Sequence, residues 1–114
     1  MAAWLASLGA DDLVITCVIA RGEILFGLER LAAGRRRAEL EGKAARLFAA
    51  MPCEAIPAVA GDRYARLKAI QQRAGLPLDE NDLWIAATTL ALGAALVTRD
   101  SDFQAIEGLA LANP

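Results

Sequence analysis

Asp79-Glu80-Asn81-Asp82-Leu83-Trp84-Ile85-Ala86-Ala87-Thr88-Thr89-Leu90-Ala91-Leu92-Gly93-Ala94-Ala95-Leu96-Val97-Thr98-Arg99-Asp100-Ser101-Asp102 decides how this chain folds. An acidic turn opens an almost wholly apolar helix, and Gly93 ends it. A helix apolar all round belongs in a core, so its charged residue Asp82 is carried to that core's edge. The run 94–98 is too short for a helix and is predicted to be a strand buried on both faces. Asp100 then follows the strand's C-terminal end, where open α/β sheets place their ligands.

Upstream, the same alternation recurs. Residues 2–8 suggest a short helix ending near Gly9, and 13–17, β-branched and compact, a buried strand. A helix over 18–31 has Ile24, Leu28 and Leu31 spaced for one buried stripe, with Gly34 as its stop. A second helix runs from Arg35 to about Met51, with Leu40, Ala44, Leu47 and Phe48 inward and Arg37, Glu41 and Lys43 toward water. Residues 54–56 are a weak strand candidate. The stretch 58–73 is an amphipathic helix with Tyr64, Leu67 and Ile70 at helical intervals, closed by Gly75-Leu76-Pro77. After Asp102 come one or two turns over 103–106 and a last strand over 109–112. Strands alternating with helices imply right-handed crossovers: an α/β fold of three layers, α/β/α, around a parallel sheet. The aromatic residues Trp4, Phe26, Phe48, Trp84 and Phe103 are expected in the core.

The 114 residues suit a single domain, and 56% hydrophobic with 23% charged residues describes a globular core. No apolar run approaches the roughly 20 residues that span a bilayer, and no signal peptide is legible at the N-terminus; a cytoplasmic protein is expected. Cys17 and Cys53 are too few for a structural zinc site and are expected to be buried and reduced. Histidine is absent. That removes Ser-His-Asp and Cys-His nucleophilic schemes and histidine-held zinc, leaving carboxylate chemistry with or without a hard metal.

Three carboxylates stand out. Glu23 follows the first strand and lies in the first half of its helix; the plainer alternative is an acid favoured by the helix dipole. Asp82 alternatively occupies the third position of a capping box whose cap is Asp79. Asp100 alternatively caps the next turn or forms an Asx turn. Asp102, Asp79 and Glu80 read first as caps and turn residues, and Asp11 and Asp12 as a solvated loop at the opposite rim. If Glu23, Asp82 and Asp100 meet, the repulsion is large: two charges about 4 Å apart at an effective dielectric near 20 repel by roughly 4 kcal/mol. Such a group raises a pKa or holds a cation. An all-oxygen, few-ligand set suits Mg²⁺ or Mn²⁺, and phosphodiester hydrolysis follows as the reaction class. Around it, Thr98, Arg99 and Asp102 are candidates for contacts with a site water, a carboxylate or an RNA phosphate. Arg35-Arg36-Arg37 reads either as a solvated helix start or as a phosphate contact.

The motifs Ala20-Arg21-Gly22-Glu23-Ile24-Leu25-Phe26-Gly27, Asp82-Leu83-Trp84-Ile85-Ala86-Ala87-Thr88 and Leu96-Val97-Thr98-Arg99-Asp100-Ser101-Asp102-Phe103, with the close at Ala112-Asn113-Pro114, resemble the PIN-domain family, in particular its VapC- and FitB-type toxin ribonucleases. The resemblance covers essentially the whole chain. It implies a Mg²⁺-dependent endoribonuclease, with Glu23, Asp82 and Asp100 as metal ligands. A homodimer is implied too, together with a cognate antitoxin that covers the site. It also implies that the family's opening strand and its terminal aspartate are missing from the printed chain, since residues 1–4 resemble the helix beyond them. A second reading is therefore a catalytically inactive PIN-like remnant that binds an antitoxin or a complete subunit. A third, an aspartyl-phosphate protein, wants a lysine near the phosphate, and Lys43 and Lys68 both lie on amphipathic helices.

Overall fold

The computed structural model describes residues 15–112 apart from positions 77 and 99. The expected N-terminal helix, the Asp11-Asp12 loop, Trp4, Arg99 and the closing Asn113-Pro114 lie outside the described residues. The chain divides into two compact units, Leu13–Ala55 and a second comprising Met1–Asp12 with Ile56–Pro114.

In Leu13–Ala55, β1 (Thr16–Cys17) leads directly into α1 (Val18–Glu29), followed by α2 (Arg35–Ala50) and β2 (Cys53–Glu54). The two strands pair in parallel, Thr16 opposite Cys53 and Cys17 opposite Glu54. Successive strand side chains alternate between faces, so this register puts the two cysteines on opposite sides. Cys17 is buried and Cys53 exposed, and both are free thiols; the expectation of a buried Cys53 is corrected. β2 begins one residue earlier than expected and stops before Ile56.

Gly34 does not end the first helix, which stops at Glu29. It stands at the start of α2, where its carbonyl accepts the Ala38 N–H at 3.0 Å. Arg37 is not turned wholly to water either. It is half-buried, pairs with Glu29 at 3.2 Å and Glu41 at 3.6 Å, and donates to the Leu31 carbonyl at 3.1 Å. One guanidinium thus joins the end of α1 to the first turn of α2, which leaves Arg35 and Arg36 as that run's exposed cations. The buried stripe expected on α1 does not form, since none of that helix's residues is buried. Ile24 and Leu25 are both exposed, and Arg21, Leu25 and Leu28 line an open groove of about 520 Å³ with Ala44 and Phe48 of α2. Arg21 lies over the Phe48 ring at 4.4 Å. Phe26, expected in the core, is 63% exposed and carries the Arg30 guanidinium 5.7 Å from its ring centre.

The second unit supplies α3 (Val59–Ala74), α4 (Glu80–Ala91), β3 (Ala95–Val97), a 3₁₀ turn (Ser101–Ala105) and β4 (Ala110–Ala112). Its core is Leu67, Leu83, Ala86, Ala87, Phe103 and Ile106, with Tyr64, Leu78, Leu90, Leu96 and Leu109 packed around it. The inward face of α3 is Ala60, Tyr64, Leu67 and Gln71, so Ile70, one position off that stripe, is exposed rather than buried. Ala86 and Ala87 are fully buried, letting α4 approach its neighbours closely. The hydroxyls of Thr88 and Thr89 donate to the Trp84 and Ile85 carbonyls at 2.7 Å, so these buried polar groups are satisfied within the helix.

Both helices close with the same device. Gly75 (φ +69°) and Gly93 (φ +63°) take the left-handed conformation, and paired bonds run back from Leu76 to Gln71 and from Ala94 to Thr89. The chain therefore reverses at Gly93 and β3 starts two residues later. β3 pairs in parallel with β4, Ala95 opposite Ala110 through Val97 opposite Ala112. Among the described residues the strands form two two-stranded ladders, where a single parallel sheet was expected. β3 packs against α4 with β4 as its ladder partner; Ala95 is exposed and Leu96 and Val97 are half-buried, so burial on both faces is corrected. No helix among the described residues is long and apolar enough to cross a membrane.

Candidate metal centre

Asp82 and Asp100 belong to the same unit. A helix that turns back through Gly93 onto the strand it packs against runs opposite to that strand. The N-terminus of α4 and the C-terminal end of β3 therefore lie at one end, and Asp82 and Asp100 with them.

Asp82 occupies the third position of α4. Its backbone N–H donates to Asp79 Oδ1 at 2.8 Å, the capping bond anticipated for Asp79, and its side chain is half-buried. The cap engages the backbone of Asp82. Asp100 precedes the 3₁₀ turn and caps it: Oδ1 accepts the Asp102 N–H at 2.9 Å. The backbone N–H of Asp100 donates to Thr98 Oγ1 at 3.0 Å, while the Thr98 N–H donates to the Ala112 carbonyl at 3.1 Å. Thr98 thus fastens Asp100 to the end of β3. Asp102, expected as a cap, is instead the capped residue.

Glu23 is exposed on α1, in the other unit. Its neighbours in sequence, Ile24, Leu25 and Phe26, are exposed as well. Among the described residues no three Cys, Asp or Glu side chains form a group able to hold a metal ion. Two carboxylates at one end of a unit, one half-buried, nevertheless fit a hard divalent ion of the Mg²⁺ type, which keeps most of its waters and takes one or two protein carboxylates.

Sequence reasoning missed one cluster beside Asp82. Glu80, in the same turn, accepts hydrogen bonds from Lys68 Nζ at 2.6 Å and from the Tyr64 hydroxyl, and Lys68 also donates to Tyr64 at 3.2 Å. The Tyr64 ring stacks on Trp84, centroids 4.0 Å apart and planes 7° from parallel. The i, i+4 spacing of Tyr64 with Lys68 and of Glu80 with Trp84 was the available signal. The Lys68 ammonium, followed by the Tyr64 hydroxyl, holds the Glu80 carboxyl below its ordinary value, and the same contacts raise the Lys68 ammonium. A lowered acid stabilises the fold above its unfolded-state pKa and ceases to do so as pH falls through the folded value. A raised lysine stabilises below its unfolded-state pKa and loses that effect as pH rises through the folded value. The thermal midpoint of Glu80→Gln should therefore fall below that of the parent near neutrality. The gap should close in acid, with a second decline at strongly alkaline pH; midpoints measured across pH check this.

The family model for the PIN domain matches residues 1–109. The chain is 32% identical to ribonuclease VapC5 of Mycobacterium tuberculosis over 87% of its own length and 73% of that protein's. It is 29% identical to VapC ribonuclease Y4jK of Sinorhizobium fredii over 98% of its length and 81% of that protein's. Among solved structures, VapBC-5, a member of the VapBC family of toxin–antitoxin systems from M. tuberculosis, superposes with a TM-score of 0.76 at 28% identity, covering 88% of this chain and 79% of that one. A strand-end aspartate and a helix-start aspartate at one end of an α/β unit agree with that match: the chain belongs to the PIN-domain family.

Proposed function

We propose that this protein is a metal-dependent endoribonuclease, the toxin of a toxin–antitoxin pair, that hydrolyses RNA phosphodiesters with Mg²⁺ held by Asp82 and Asp100 and with Glu23 as the third carboxylate. The observation that carries this reading is that Asp82 opens α4 and Asp100 follows β3, the strand α4 packs against, in a family whose relatives include ribonucleases. When bound, the ion neutralises the phosphate and lowers the pKa of a water. The chain's own contribution is placement. Asp79 fixes the backbone of Asp82, Thr98 fixes that of Asp100, and the Asp100–Asp102 bond engages Oδ1 and leaves Oδ2 for a ligand. Arg99, beside Asp100 in sequence, is assigned to an RNA phosphate. The partners that follow are RNA, a cognate antitoxin and a second copy of the chain.

A non-catalytic PIN-fold protein that binds an antitoxin is the second reading, and one observation favours it: among the described residues no three candidate ligands form a group. RNA cleavage by the purified chain separates the two. Cleavage that stops with EDTA and returns with Mg²⁺ is expected for the nuclease. Antitoxin binding without cleavage at any Mg²⁺ or Mn²⁺ concentration would support the second reading.

A further inference from the structure

We infer that Tyr64, Lys68, Glu80 and Trp84 form a clasp between α3 and α4 that positions Asp82 for its metal ion; this rests on the reading of Asp82 given above. Two residues one turn apart on α3 meet two residues one turn apart on α4. The aromatic pair supplies area and parallel alignment, and the Lys68–Glu80–Tyr64 contacts fix the rotation of α4 about its own axis. Residues i and i+2 on a helix are separated by about 200°. With Glu80 and Trp84 turned toward α3, Asp82 between them is directed to the opposite side. Helix starts fray, and this one is held twice: by the Asp79 cap on the backbone and by the clasp on the side chains.

The clasp also sorts charge. The first turn of α4 carries Asp79, Glu80 and Asp82. Asp79 is engaged by the cap and Glu80 is paired with Lys68, which keeps a competing carboxylate away from an ion on Asp82. An exposed ion pair contributes little to stability, and this one's main effect is on the ion's site.

The test is Mn²⁺ binding by the full chain without RNA, read from the EPR signal of free Mn²⁺. Lys68→Met and Glu80→Gln should weaken binding about tenfold, as loss of a group that orients a ligand does, and Lys68→Arg should restore most of it. Parent-like Mn²⁺ affinity in both variants, with only the melting temperature lowered, would overturn the clasp's positioning role. Asp82→Asn is the control. If it binds Mn²⁺ as the parent does, the assignment of Asp82 falls and the clasp's role with it. If it loses the ion while the clasp variants keep it, the clasp alone falls.

Discussion

Asp82→Asn and Asp100→Asn should each lower Mg²⁺-dependent RNA cleavage by about a hundredfold or more, the scale of removing one electrostatic contact to a transition state. Each change keeps side-chain shape, the Asp82 N–H still reaches Asp79, and an asparagine oxygen at 100 still accepts from the Asp102 N–H. The melting temperature of Asp100→Asn should accordingly stay close to the parent's. Both variants should lose activity together and show little further loss when combined, because residues that act as a unit are not additive. Glu23→Gln asks a separate question. Glu23 is exposed on α1, in the Leu13–Ala55 unit. Single-turnover cleavage by this variant decides whether Glu23 shares the reaction: a loss comparable to the other two makes it the third carboxylate, and parent-like cleavage removes it.

Phe103→Ala should be the most destabilising single change, by about 3–5 kcal/mol, the usual cost of emptying a buried aromatic site. That corresponds to a melting temperature lowered by roughly 10–20 °C for a chain of this size. Phe103 is 5% exposed and joins Leu67, Leu83 and Ile106 in the core, three residues after Asp100. Its loss should also loosen the turn that holds Asp100, so cleavage below the melting transition should fall too. Phe26→Ala is the contrast: at 63% exposure, its truncation should move the midpoint by no more than about 2 °C. Thermal unfolding of both variants alongside the parent checks the pair.

The two phenylalanines, both expected in the core, mark where sequence reading succeeds, at Phe103, and where it fails, at Phe26. The helix over 80–91, its Asp79 cap, its stop at Gly93 and the strand after it were legible because each rests on local chemistry: a capping oxygen, a left-handed glycine, an apolar run. So were the placements of Asp82 and Asp100 at element ends. Which face of a helix turns inward depends on the neighbour: at Ile70 the reading slipped by one position, and at Ile24 it expected burial on a helix that buries none of its residues. Arg37 was misjudged for a related reason. Its carboxylate partner Glu29 lies across a turn, and no periodicity announces such a pair. The convergence of Glu23 on the other two carboxylates was an expectation from their positions after strands and at helix starts, and it stays a proposal.

Four members of the core around α4, Leu67, Leu83, Ala86 and Ala87, lie on the consecutive helices α3 and α4, so the contacts between these two helices join neighbouring elements of the chain. Little loop entropy opposes their formation, and topologies of that kind fold fast. The α3–α4 hairpin, with its stacked Tyr64 and Trp84, is the natural nucleus. The parallel β3–β4 ladder then adds on late, so weakening it should hasten unfolding while leaving the refolding rate almost untouched.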